Sequence, residues 1–191
     1  MGRSSFSGPL YSENGFITGG EWVDIDFPII IRTTGTGIPS LTTLQGNVTA
    51  PSWAVNDFNV CEGQELIHGW KEGSTVYWHV HFITNGTNVD NRYVKWTVEW
   101  FWVNINGVLS DTITTTSPDI LIPANTTSKT MLIGSVGSYA LTDARIGGHV
   151  FARLSRVAAS GTAPSNNPWC SMLQMHVEVD TLGSQQIFSK E

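Results

Sequence analysis

Residues 94–105, with the sequence VKWTVEWFWVNI, decide the fold of this chain. Large apolar side chains occupy every second position of this segment: Val94, Trp96, Val98, Trp100 and Trp102. Side chains point alternately to the two faces of a β-strand, so these five residues would share one face. The segment therefore predicts a strand that is buried on one side.

Short segments of the same kind lie on both sides of this strand, separated by turn-forming residues. We predict further strands at residues 27–34, 41–50, 53–61, 112–116, 128–134, 148–158, 171–181 and 185–189. Two of them alternate clearly, which places Val150, Ala152 and Leu154 on one face, and Leu173, Met175, Val177 and Val179 on another. Residues 62–74, 118–125 and 159–168 read as loops, and helix should be nearly absent because apolar residues at helical spacing are missing.

Eight to ten short strands with regularly spaced turns are typical of an all-β, jelly-roll-like β-sandwich. We expect a single domain spanning residues 21–191, because 191 residues suffice for one core. Residues 1–20 precede it as an extended N-terminal arm. The arm carries Phe6, Tyr11 and Phe16 without a packing period, so we predict that these aromatic residues form an interface with a partner.

The composition argues against two classes of partner. Charged residues make up 14% of the chain, against about 25% in an ordinary domain, and the net charge is -6. Binding to nucleic acid or to an anionic membrane surface needs clustered basic residues, and the sequence has no such cluster. No apolar run reaches signal-peptide or membrane-span length, so we expect synthesis in a cytoplasm.

The two cysteines, Cys61 and Cys170, lie far apart in the sequence and lack the spacing of a metal site. Two buried thiols are the simpler interpretation, and a single bridge between them stays open.

Three motifs resemble a family of phage-encoded virion proteins. Residues 69–82 (GWKEGSTVYWHVHF) are similar to the family's KEGS and HVHW signature, residues 179–190 (VDTLGSQQIFSK) to its closing DTLGS segment, and residues 21–28 (EWVDIDFP) to its opening. The resemblance implies a jelly-roll-like domain that assembles, commonly as a trimer, as a capsid cement or decoration protein, a head fibre or a tail-fibre component. It implies no catalytic residues. The chain departs from the family pattern at residues 161–169 and at Trp78, which puts the details of a partner-binding loop in doubt.

His79 and His81 alternate along a predicted strand, so their imidazoles would share one face about 7 Å apart. With His176 or His68 as a third ligand they could hold a metal ion. No zinc-binding spacing is present, however, so we predict no metal and no cofactor. We expect His79 and His81 instead to be buried near a subunit interface, neutral and hydrogen-bonded.

The tryptophans suggest two environments. The stripe of Trp96, Trp100 and Trp102 could be a sugar-stacking platform, although strict alternation favours a core or a subunit interface. Three further tryptophans lie in or beside loops and are the better candidates for exposed contacts: Trp53, Trp70 and Trp169.

The sequence carries no catalytic motif that we recognise. Asp24 and Asp26 are spaced like a carboxylate pair of a glycoside hydrolase, but two acids at the start of a strand are more often turn or surface groups. We therefore do not expect an enzyme.

These observations predict a structural component of a bacteriophage particle. It would be made in the host bacterial cytoplasm, assemble as a homo-oligomer, most simply a homotrimer, and decorate or stabilise the capsid. Its partners would be itself and a phage capsid or tail protein. The alternative is a receptor- or carbohydrate-binding module of a tail fibre, whose partner would be a host-surface glycan.

Overall fold

The computed structural model describes residues 17–31 and 34–181, and these form twelve β-strands and no helix. The strands are β1 (Ile17–Pro28), β2 (Ser40–Gln45), β3 (Val48–Ser52), β4 (Phe58–Val60), β5 (Gln64–Glu65), β6 (Thr75–Ile83), β7 (Arg92–Val103), β8 (Ile113–Thr116), β9 (Ile120–Ile122), β10 (Met131–Ala140), β11 (His149–Val157) and β12 (Trp169–Thr181). The prediction of an all-β chain is confirmed. Within these residues no helix is present that could cross a membrane.

The strands form two antiparallel sheets. In the first sheet the order is β1, β12, β6, β10, and the hairpin of β2 and β3 joins the end of β12. In the second sheet β11 and β7 lie at the centre, β4 and β5 pair with β11, and β8 and β9 pair with β7. We count β4 with β5, and β8 with β9, as one interrupted strand each. The second sheet then has the order β4/β5, β11, β7, β8/β9, and it faces β1, β12, β6, β10, which is the strand order of a jelly roll. The predicted jelly-roll-like β-sandwich is therefore confirmed.

Tryptophans from both sheets meet in the core. Trp78 of β6 contacts Trp100 of β7 with ring centroids 5.4 Å apart, and Trp53 lies 5.4 Å from Trp96. The alternating face of β7 is buried, as predicted: Val94, Trp96, Val98, Trp100 and Trp102. The tryptophan stripe is thus core and not a sugar platform.

The predicted inward faces of β11 and β12 are also confirmed, since all seven of their alternating apolar residues are buried. Cys61 and Cys170 are buried free thiols, which settles the question of a bridge. Burial raises the pKa of each thiol to about 12, so both are protonated and unreactive at neutral pH.

Several predicted strand boundaries were wrong for local reasons. The strand expected at residues 27–34 ends at Pro28 and begins instead at Ile17, because Ile25 and Phe27 alternate into the core from that side. Residues 41–50 span the hairpin of β2 and β3. In residues 53–61 only β4 is a strand, since Asp57 accepts a hydrogen bond from the Ala54 amide and closes a turn.

One predicted loop contains a strand, and one predicted strand lies outside the described residues. The loop expected at residues 118–125 contains β9, which pairs with β7 over only three residues. The strand predicted at residues 185–189 lies outside the described residues, as do residues 1–16, which make up most of the predicted arm.

The KEGS motif fastens the turn before β6 to two other parts of the fold. Lys71 pairs with Glu178 of β12 at 2.8 Å, and Glu72 accepts the Ile146 amide at 2.9 Å. Gly73 has a φ of +77°, which side chains disfavour, and Ser74 accepts the Trp70 indole N–H at 2.9 Å. Each residue of the motif thus has a structural role.

Candidate functional site

The outer surface of the first sheet gathers most of the polar residues singled out in the sequence. The register places Asp24 beside His176 and His176 beside Tyr77, while Asp26, Gln174 and His79 form the next row. We call this surface the histidine face and define it by Trp22, Asp24, Asp26, Tyr77, His79, His81, Met131, Ile133, Met172, Gln174 and His176. Strand alternation produces it, because the residues that alternate with these are mostly buried, including Ile25, Trp78, Val80, Leu173 and Met175.

A directional chain of hydrogen bonds crosses the centre of the histidine face. His79 Nε2 lies 2.9 Å from Gln174 Oε1, and Gln174 Nε2 donates to Asp26 Oδ1 at 2.6 Å. Because the carboxylate can only accept, the amide must present its oxygen to His79, so His79 carries its proton on Nε2. The central polar groups therefore satisfy one another.

Asp24 joins two histidines from different strands. Its Oδ1 lies 2.8 Å from His176 Nδ1 and 3.7 Å from His79 Nε2. Asp24 and Asp26 are thus hydrogen-bonded surface carboxylates within β1, which is the interpretation that the sequence favoured. They belong to one network with the histidines.

His79 is mostly buried, with 16% of its side chain accessible. Burial lowers its pKa below the ordinary value of 6.5, and the neighbouring His81 and His176 act in the same direction. The hydrogen bond to Gln174 and the charge of Asp24 oppose this shift without reversing it. His79 is therefore neutral at pH 7.

Acidification is expected to destabilise the fold through His79. The unfolded chain binds a proton at this residue at a higher pH than the folded chain does, so stability is full above pH 6.5 and is lost as the pH falls through the lowered pKa. Urea unfolding at pH 7 and pH 5 should show a larger loss for the native chain than for a His79→Gln variant. Equal losses in the two proteins would exclude His79 as the group responsible.

The three candidate metal ligands come together only in part. The rings of His79 and His81 have centroids 5.2 Å apart, and those of His79 and His176 are 6.1 Å apart. His68 lies elsewhere and pairs with Glu65 at 3.4 Å. Within the described part of the chain no group of three or more histidine, cysteine or acidic residues is arranged to hold a metal ion.

Exposed apolar residues surround the polar centre of the histidine face. Ile133 is 64% exposed, and Met131, Tyr77, Trp22 and Met172 are also exposed. Trp22 stacks on His176 with centroids 5.1 Å apart and meets the edge of Tyr77. Sequence reasoning missed Trp22, Tyr77 and Ile133, although the alternation of EWVDIDFP could have shown that Trp22 points outward.

The three loop tryptophans predicted to be exposed are buried: Trp53, Trp70 and Trp169. Each donates its indole N–H to a local acceptor, namely the Cys170 carbonyl, Ser74 Oγ and Thr42 Oγ1. Trp53 and Trp70 belong to the core cluster, and Trp169 is the first residue of β12. That part of the prediction was wrong because a loop position does not imply exposure when an acceptor lies below it.

Phe6, Tyr11 and Phe16, the remaining predicted interface residues, lie outside the described residues. Their predicted role in an interface stays a prediction.

The described chain is a jelly-roll sandwich, and the polar side chains at the centre of its histidine face form hydrogen bonds with one another. No family model matches the chain, and no curated protein matches it. Among solved structures, a structure of infectious bursal disease virus, Gx strain, aligns over 93% of this chain and 54% of that chain, with 10% identity and a TM-score of 0.31. The D431N mutant VP2 protein of the same virus, from T=1 particles, aligns over 82% of this chain and 41% of that chain, with 11% identity and a TM-score of 0.32. The chain spans about half the length of the first of these, and likeness at this level transfers no function.

Proposed function

We propose that this chain is a non-enzymatic structural protein of a bacteriophage particle. It assembles with copies of itself through the histidine face, most simply as a trimer, and the assembly decorates or stabilises the capsid. The phage setting and the trimer are supported by the resemblance of two motifs, KEGS in the turn before β6 and HVH within β6.

One observation supports self-association above the others. His81 Nε2 is buried and has no hydrogen-bond partner among the described residues, although it lies on an outward-facing row between Met172 and Ile133. A buried polar atom without a partner costs about 1–3 kcal/mol, so such atoms usually find one. Nε2 has almost no accessible surface in the single chain, so the His81 ring would turn outward for a second copy packed on this face to supply a partner.

The rest of the face suits burial between subunits. The exposed apolar residues provide area to remove from water, while the central polar groups already have partners and lose little when water leaves. This distribution reverses the apolar core and polar rim of a typical protein interface, and the central polar groups can be buried because they pair with one another.

Replacing both His79 and His81 by alanine should weaken oligomerisation by about 1–3 kcal/mol, because packing is lost and partners are left unsatisfied. Sedimentation equilibrium would measure the change. His149→Ala is the matched control, since this histidine lies on the second sheet and is exposed. A loss of association in the control as large as in the double variant would contradict the assignment of the face.

The N-terminal arm is the proposed attachment to the particle. Because β1 begins at Ile17, the truncation should remove residues 1–16 and leave the strand whole. The truncated protein should unfold at the same temperature as the full chain and fail to join particles when mixed with phage lacking it. Normal decoration by the truncated chain would show that the anchor lies elsewhere, and cryo-microscopy of the decorated particle would locate the protein on head or tail.

A further inference from the structure

A groove crosses the outer surface of the second sheet, opposite the histidine face. The register forms it from two neighbouring rows: Phe151 pairs with Phe101, and Arg153 pairs with Glu99 on one side and with Val60 on the other. The groove has a volume of about 300 Å³, and the backbone at Cys61 and Ala152 forms its floor. One wall is therefore aromatic and the other is mixed.

The aromatic wall is rigid and open to solvent. Phe101 and Phe151 stack with centroids 5.4 Å apart and an interplanar angle of 23°, and Phe151 is 37% exposed. Rows two residues apart along a strand are separated by about 7 Å, which leaves room between facing side chains for one flat group. The groove thus fits a ring lying against Phe151.

The opposite wall offers one acceptor and one donor side by side. The Glu99 carboxylate lies 3.9 Å from Arg153 Nη1, and both side chains are partly exposed. The guanidinium makes a cation–π contact with the Phe58 ring, whose centroid lies 4.0 Å from Arg153 Cζ. Arg153 Nε is covered, while 38% of the whole side chain is exposed, so the outer nitrogens of the guanidinium are the donors that a ligand can reach.

We propose that this groove binds a neutral pyranose ring of a glycan. The C–H face of the sugar would lie on Phe151, and adjacent hydroxyl groups would donate to Glu99 and accept from Arg153. The charges of Glu99 and Arg153 balance, so the groove has no preference for a charged ligand, whereas a hydroxyl pair matches a carboxylate beside a guanidinium. A purely apolar ligand would displace water from the outer nitrogens of Arg153 without replacing its hydrogen bonds.

The site goes beyond self-association and does not depend on it, since it lies on the other sheet. In a protein of a phage particle, the groove would bind a surface sugar, and the histidine face would bind other copies of the chain. The two proposals can therefore fail separately.

Saturation-transfer NMR and calorimetry on the full chain would test the site with the methyl glycosides of glucose, galactose, mannose and N-acetylglucosamine and with their oligosaccharides. At least one neutral sugar should bind, at concentrations up to about 10 mM. Phe151→Ala should lower that affinity at least tenfold. Glu99→Gln, which keeps the shape of an exposed side chain, should lower it about three- to tenfold, and neither variant should change the oligomer.

Tyr77→Ala is the matched control, because it removes an exposed aromatic side chain from the histidine face and should leave sugar binding unchanged. Binding that survives both Phe151→Ala and Glu99→Gln would overturn the proposal. The proposal would also be overturned if no sugar in the panel bound to the chain. If, in addition, Phe151→Ala impaired decoration of particles, the groove would be assigned to a protein partner instead.

Discussion

Ile133→Glu is expected to convert the oligomer into monomers of 20.9 kDa. Ile133 is 64% exposed at the centre of the apolar rim and pairs with His81 across β10 and β6, so its replacement should leave the single chain folded. In the assembled state the new carboxylate would lose its water, which costs several kcal/mol per buried ion without a partner. The association constant should fall by at least about 100-fold, or roughly 2.7 kcal/mol.

Light scattering would measure this change. Val108→Glu is the control: it places the same charge on a 90% exposed apolar residue in the turn after β7, away from the face. If Ile133→Glu and the native chain have the same mass in solution, the histidine face is not the interface. A native chain that is monomeric at micromolar concentration would refute self-association altogether.

Trp100→Ala should have the largest effect on stability, a loss of about 3–5 kcal/mol in the free energy of unfolding. Trp100 is fully buried and lies between Trp78 and Tyr139, each with a ring centroid 5.4 Å away. Its removal would leave a cavity at the point where the two sheets meet, and it would also remove the donor to Thr115 Oγ1. Since domains of this size are stable by about 5–15 kcal/mol, much of the fold's stability would be lost.

Urea unfolding followed by circular dichroism would give the value. Trp22→Ala serves as the comparison, because Trp22 is 41% exposed and its loss should cost no more than about 1 kcal/mol. Trp100→Phe should fall between the two, since a smaller ring fills part of the space. Similar stabilities for Trp100→Ala and Trp22→Ala would mean that Trp100 is not central to the core.

The long alternating strands could be predicted from the sequence because one face of each is core and the other is not. In β7, β11 and β12 the apolar residues occur at every second position, and nothing in the fold competes with that pattern. Short elements were harder. β9 has three residues and exists because β7 offers it an edge, a fact about a neighbour that no local pattern contains.

The candidate site was predictable only in part, for the same reason. That His79 and His81 share a face follows from spacing along one strand. Their meeting with Asp24 and His176 depends on how β1 and β12 pair, with partners 152 residues apart in the chain. The burial of Trp53 likewise depends on a carbonyl more than a hundred residues away.

The place of β12 between β1 and β6 has a consequence for biosynthesis. Among the described strands β1 is synthesised first and pairs with β12 alone. Within this part of the chain its edge therefore stays unpaired until β12 has been made. Pairing over such a separation is slow, and nascent chains with open edges are prone to associate wrongly. When several ribosomes translate one mRNA, chaperones would therefore bind the early strands of the nascent chains. The yield of recombinant protein should rise when translation is slowed or the temperature is lowered.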